Sequence, residues 1–169
     1  MTCAVVYSSR TGNTKLLAET VKKEIKETKG IQCIYYGEPG TEALKAERIY
    51  VGFWTDKGNC NAETAEFLKK VTNQQIYLFG TAGFGDSQEY FDKVLERTGA
   101  NLGPDARKIG SFMCQGKMPV SVRQRYEKMM NSPVRMPNLQ GLIENFDKAL
   151  SHPDEKDLEA LIKSVNSLL

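Results

Sequence analysis

Short apolar runs alternate along this chain with stretches in which apolar residues recur every three or four positions. Residues 2–8 hold Cys3, Ala4, Val5, Val6 and Tyr7 in unbroken apolar order, which predicts a strand buried on both faces. Residues 13–28 follow with Leu17, Val21 and Ile25 spaced by four, the stripe of an amphipathic helix, stopped by Lys29-Gly30. Runs at 31–36, 48–54, 75–81 and 108–114 predict four more strands. Helices are predicted over 63–72, through Ala65, Leu68 and Val71, and over 87–97, through Tyr90, Phe91, Val94 and Leu95. After the fifth strand the pattern turns all-helical, over 120–131, 138–150 and 155–168. The last carries Leu158, Leu161, Ile162, Val165 and Leu168 on one stripe.

Strands separated by helices predict an α/β fold, an open five-stranded parallel sheet with helices on both faces and extra C-terminal helices. One domain over residues 1–169 is expected. In such sheets a ligand sits beyond the carboxyl ends of the strands. The loops that leave those ends therefore carry the functional information.

Bulk composition narrows the classes. Hydrophobic residues make up 40% and charged residues 26%, ordinary values for a globular protein. No apolar run nears the roughly 18–20 residues that cross a bilayer, so no membrane role is expected. Met1-Thr2-Cys3-Ala4-Val5-Val6-Tyr7 lacks a basic leader, and a cytoplasmic location is expected. Cys3, Cys33, Cys60 and Cys114 form no CxxC pair, and the single His152 argues against a His-rich metal site, so no metal is expected. Three of the cysteines lie in apolar runs; Cys60 lies in an expected loop, where it is a candidate reactive thiol.

A net charge of +2 is too weak to point to nucleic acid. The charge is uneven, however. Residues 107–137 hold Arg107, Lys108, Lys117, Arg123, Arg125, Lys128 and Arg135 against Glu127 alone, a local net of +6. Two readings stay open for this segment, a solvated helix face or a docking patch for an acidic partner.

Three loops carry candidate chemistry. Ser8-Ser9-Arg10-Thr11-Gly12-Asn13-Thr14 joins a strand to a helix N-terminus, where free N–H groups and the helix dipole favour an anion. It has neither the Gly-Lys-Ser/Thr ending of a triphosphate loop nor a three-glycine dinucleotide fingerprint. A monophosphate held by neutral donors fits, against the alternative of an ordinary capped turn. The second loop, from Trp54 through Thr55, Asp56, Lys57, Gly58 and Asn59 to Cys60, opens with the only Trp and turns at Asp56-Lys57-Gly58-Asn59. Trp54 reads equally as core or as a ligand surface. The third, Gly80-Thr81-Ala82-Gly83-Phe84-Gly85-Asp86-Ser87, has three glycines in six residues around Phe84, which reads as an exposed aromatic platform. A phosphorylated planar ring would use all three loops.

Ser9-Arg10-Thr11-Gly12-Asn13-Thr14 resembles the flavodoxin phosphate loop, S/T-x-T-G-x-T, and residues 80–86 resemble the second flavin loop of short-chain flavodoxins. Across nearly the whole chain there is similarity to a flavodoxin-like family of anaerobic bacteria. It is carried by Gly52-Phe53-Trp54-Thr55-Asp56-Lys57-Gly58, Cys114-Gln115-Gly116-Lys117 and His152-Pro153-Asp154-Glu155 with Asp157. Some of its members are linked to bilin-reducing enzymes. The resemblance implies strand order 2-1-3-4-5 and FMN as cofactor. It implies a phosphate held by Ser9, Arg10, Thr11, Gly12, Asn13 and Thr14. The ring is then walled by Thr55, Asp56, Lys57, Gly58, Thr81, Ala82, Gly83 and Gly85, with Phe84 and Trp54 stacked on it. Asp56 and Asp86 would disfavour an anionic reduced flavin, and Gly58 would permit a peptide turn toward a flavin nitrogen. Gln115 and Lys117 either reach the flavin rim or belong to a plain turn. The chain departs from ordinary flavodoxins in not being strongly acidic and in its long tail after the fifth strand.

The implied function is electron transfer between a reductase and an acceptor, with a bilin-type reductase as one implied partner, and no catalytic residue of the chain's own. The alternative is an FMN-dependent NAD(P)H oxidoreductase acting on a quinone or another small acceptor. A third is a flavin-binding regulatory protein that works through residues 107–137. The acids around Pro153 suit the first turn of a helix rather than catalysis.

Overall fold

The computed structural model describes residues 1–85, 87–134 and 136–169. Its strands are β1 (Thr2–Tyr7), β2 (Gln32–Gly37), β3 (Arg48–Asp56), β4 (Asn59–Cys60), β5 (Gln75–Ala82) and β6 (Arg107–Gln115). Its helices are α1 (Asn13–Glu27), α2 (Ala62–Leu68), α3 (Gln88–Gly99), α4 (Val120–Met130), α5 (Leu139–Ala149) and α6 (Glu155–Asn166), with a short 3-10 turn at Thr41–Lys45.

Five strands pair in parallel in the order β2-β1-β3-β5-β6, and β4 pairs antiparallel with β3. The expected order 2-1-3-4-5 is thus corrected to 2-1-3-5-6, because β4 is a sixth strand that the apolar pattern did not reveal. Its cause is local. Lys57 and Gly58 both take positive φ, 49° and 76°, as a two-residue hairpin turn requires. The turn folds Asn59 and Cys60 back on Asp56 and Thr55. Cys60 is therefore a buried strand residue whose thiol pKa is raised by burial, not a loop cysteine poised to react. Likewise α2 stops at Leu68 rather than 72: Lys70 and Val71 donate to Phe67 and Leu68, three residues back, and this tighter turn buries Val71.

Alternation along β3 and β5 sends successive side chains to opposite faces of the sheet. Ile49, Val51, Phe53, Ile76 and Leu78 pack on one face with Phe67 and Leu68 of α2 and Phe91, Val94 and Leu95 of α3. Tyr50, Tyr77 and Phe79 pack on the other with Leu17 and Val21 of α1 and Leu161 and Val165 of α6. Two register pairs interlock the faces. Gly52 lies opposite Phe79, and Phe53 opposite Gly80. A Cβ on Gly52 would stand 2.4 Å from the Phe79 ring, and one on Gly80 2.5 Å from the Phe53 ring. Each phenyl ring covers its partner's bare backbone, so the two glycines belong to the packing.

Helix α6 begins with a reciprocal cap: Asp154 accepts from the Asp157 N–H, and Asp157 accepts from the Asp154 N–H, both at 2.9 Å. Pro153 lies before this cap rather than inside the first turn. A third, small apolar cluster joins α4 and α5 through Tyr126, Leu139 and Ile143.

Candidate functional site

Beyond the carboxyl ends of β1, β3, β5 and β6 lies an open cleft of about 770 Å³, well inside the range of small-molecule sites. Each of these four strands delivers one loop to it, because parallel strands all end on the same edge.

The loop after β1 contributes Arg10, Thr11 and Asn13. Gly12 takes φ 89° at the N-cap of α1 and borders a smaller neighbouring depression instead of the main cleft. The Ser9 hydroxyl accepts from the N–H groups of Gly12 and Lys15, both at 3.2 Å, and so holds the loop curled over the helix end. Thr14 is buried; its hydroxyl donates to the Phe53 carbonyl at 3.2 Å and lies 3.1 Å from the Thr81 hydroxyl. The structure thus brings neither Ser9 nor Thr14 to the cleft wall. Asn13 donates to the Lys117 carbonyl at 2.9 Å, while its buried Oδ1 has no hydrogen-bond partner.

The loop after β3 contributes Trp54, Thr55, Asp56, Lys57 and Gly58. The Arg10 guanidinium stands over the Trp54 ring, 5.6 Å from its centroid, so Trp54 is a half-buried rim residue and not core. The Thr55 hydroxyl donates to the Thr81 carbonyl at 2.9 Å and ties this loop to the next. The Gly58 carbonyl accepts from Arg97 at 3.2 Å.

The loop after β5 contributes Thr81, Ala82, Gly83 and Phe84. Phe84 is 43% exposed and meets Tyr90 edge-on, with centroids 6.4 Å apart. The Gly83 carbonyl accepts from Gln115 at 2.9 Å and from Asn145 at 3.0 Å. Gln115 is therefore buried behind this loop and positions it, rather than facing the cleft. Gly85 also stands off the cleft lining; a Cβ there would lie 2.5 Å from the Gln115 side chain. Asp86 lies outside the described residues.

A fourth wall was not anticipated in full. Gly116 and Lys117 lead into Met118, Pro119, Ser121, Val122 and Arg125, and Tyr90 adds to it from α3. Charge alone singled out Arg125, while Met118 carried no signal in the sequence. Met118 packs where a Cβ on Gly83 would be, 2.6 Å from its sulfur. Gly116 donates to the Ala82 carbonyl and Lys117 to the His152 carbonyl, both at 2.9 Å, which moors the segment to the sheet edge. The expected basic segment does not form one patch. Lys117 and Arg125 reach the cleft, Arg107 and Lys108 start β6 at the far end, Arg123 pairs with Glu127 and Asp147, and Arg135 lies outside the described residues.

Among the described lining residues, Arg10, Lys57, Lys117 and Arg125 face Asp56 as the one acid. The wall thus offers cations, threonine hydroxyls, helix-end amides, three aromatic side chains and one buried acceptor lacking a donor. Such a donor set suits a flat ring bearing a hydroxylated, phosphorylated tail. His152 stands apart, bonded through Nδ1 to Asp157 at 2.6 Å, beside the smaller depression.

The family model for the flavodoxin domain matches residues 4–166. The chain is 39% identical over 183 aligned positions to the flavodoxin-like domain-containing protein BilS of Clostridium symbiosum (strain WAL-14163), covering 98% of this chain and 96% of that protein. It is 31% identical over 171 positions to the protein of the same name from Clostridioides difficile (strain CD3), covering 100% and 97%. Among solved structures, a short-chain flavodoxin associated with a non-canonical PDU bacterial microcompartment superposes with a TM-score of 0.64 at 17% identity, covering 99% of this chain and 96% of that one. No helix among the described residues is long and apolar enough to cross a membrane.

Proposed function

Because this chain belongs to the flavodoxin domain family, we propose that it binds one FMN in the cleft and passes electrons between redox partner proteins. One observation carries the reading. The loop at the N-terminus of α1 converges on the same cleft as the two loops that bear Trp54 and Phe84. Thr11, the free amides of α1 and Arg10 would hold the phosphate, since a helix N-terminus favours an anion. The unpartnered Oδ1 of Asn13 would accept from a hydroxyl of the cofactor's tail. Trp54 and Phe84 would flank the ring from neighbouring loops, while Gln115 and Asn145 keep the Gly83 carbonyl out of the way. Bound there, FMN would supply one- and two-electron transfer, and the chain would supply orientation and electrostatics.

The carrier reading is favoured over an enzyme with its own small acceptor by the state of His152, whose imidazole is committed to Asp157 outside the main cleft. The partners are a reductase and an acceptor, and a bilin-reducing enzyme is the acceptor that the sequence resemblance supplies.

Trp54 is the only tryptophan, so its emission reports the site directly. Titrating FMN into the cofactor-free protein is expected to quench that emission to saturation at one equivalent. Thr11→Ala should weaken binding about tenfold, or roughly 1.4 kcal/mol. Emission that ignores FMN would overturn the reading. Under anaerobic conditions the loaded protein should stay yellow with NADH or NADPH alone and bleach once a flavodoxin reductase is added. Rapid bleaching by the nucleotide alone would establish the oxidoreductase instead.

A further inference from the structure

At the end of the sheet opposite the cleft, β1 and β2 set two thiols side by side. Cys3 and Cys33 are register partners on neighbouring parallel strands. Register partners point to the same face, here the face covered by α1. Adjacent strands lie roughly 4.8 Å apart, inside the Cα separation of about 4.4–6.8 Å that a disulfide spans. Cys3 is fully buried, whereas Cys33, on the edge strand β2, is only half-buried. We propose that Cys33 is a peroxide-reactive thiol and Cys3 its resolving partner, the pair closing a reversible disulfide between β1 and β2.

The surroundings divide the roles. Pairing with the Cys3 thiol, with the Tyr35 backbone and with Lys22 and Lys26 of α1 nearby, lowers the Cys33 thiol below its ordinary range. Lys22 is held over β2 by the Tyr36 ring, 3.8 Å from its centroid. The same pairing and its own burial push Cys3 up. A half-buried thiol on an edge strand, next to a fully buried one, is the arrangement of an attacking and a resolving cysteine. Cys60 and Cys114 differ from it. Each is buried, and desolvation raises each thiol.

The chemistry balances with a hydroperoxide as oxidant. The Cys33 sulfur attacks one peroxide oxygen, the O–O bond breaks, and a sulfenic acid and one water (or alcohol) result. The Cys3 sulfur then attacks that sulfenic sulfur, the S–S bond forms and the S–O bond breaks, and a second water leaves. Two thiols lose two protons and two electrons, and one peroxide gains them.

The test is to treat the full chain with one equivalent of hydrogen peroxide without oxygen, then digest it and map its peptides by mass. The expected product has lost two hydrogens, links the Cys3 and Cys33 peptides, and reverts with dithiothreitol. Cys33→Ser should show no such loss. Cys3→Ala should stop at a Cys33 sulfenic acid that dimedone captures. A wild-type map with no Cys3–Cys33 link, or with oxidation first at Cys60 or Cys114, overturns the proposal without recourse to any variant.

Discussion

Phe53 and Phe79, beneath the cleft, are completely sealed from solvent, whereas α4, on the flank of the same cleft, buries only Tyr126. The floor is made of strand ends whose positions follow from sheet register, with apolar side chains packed on both faces. The flank hangs on the small cluster of Tyr126, Leu139 and Ile143, and leaves Val120, Met130, Val134 and Met136 exposed. Few buried apolar contacts mean a low free energy of local opening. One site thus combines a fixed base, which can hold a cofactor in a set geometry, with a loosely fastened side that carries Lys117 and Arg125 at the mouth.

The sharpest way to break this comparison is to hollow each side. Phe79→Ala should cost about 3–5 kcal/mol in denaturant unfolding, as a large buried aromatic does. Ile143→Ala should cost less than half as much globally, yet speed hydrogen exchange selectively across 120–149. Equal global losses would mean that floor and flank unfold as one unit. Gly52→Ala tests the floor by overfilling it. The new methyl would collide with the Phe79 ring, at a cost of about 1–3 kcal/mol, read as a fall in Tm. Gly58→Val tests the hairpin between the two sides. A side chain at φ 76° costs about 1–2 kcal/mol and displaces Arg97 from the Gly58 carbonyl, so Tm should fall and the potential of bound flavin should shift.

The smallest effect is expected at α6, and it depends on pH. The Asp157 N–H, with His152 and Lys156 nearby, holds the Asp154 carboxyl below its ordinary range. A lowered folded value means stability that is present above the unfolded value of about 3.9 and is lost as pH falls through the lower folded one. Asp154→Asn keeps a capping acceptor but not the charge. Its Tm should lie slightly below wild type at neutral pH, and the gap should close on acidification; a gap that widens in acid would contradict the assignment.

Several of these features are legible in the amino-acid sequence. The continuous apolar runs of β1 and β5 and the four-residue spacing of Leu17, Val21 and Ile25 implied a parallel sheet covered by helices. The loop motifs around Thr11, Trp54 and Phe84 located the cleft, because strand polarity alone brings those loops to one edge. Strand β4 was hidden because two residues are too few to show a period, and its hairpin depends on backbone angles at Lys57 and Gly58. The α4 wall was hidden because its approach rests on distant partners, such as Asn13 to Lys117 and Met118 against Gly83.

By itself the sequence determined the five long strands, the main helices, their alternation and the chemistry carried by each loop, since these follow from spacing along a single chain. Only the tertiary structure decided which polar side chains face the cleft. Thr14 and Gln115 have the right composition for a ligand, yet both spend their hydrogen bonds inside the protein, on Phe53 and Gly83. A polar group bonds to whatever acceptor the fold brings within reach, and that acceptor lies 39 residues away from Thr14 and 32 from Gln115.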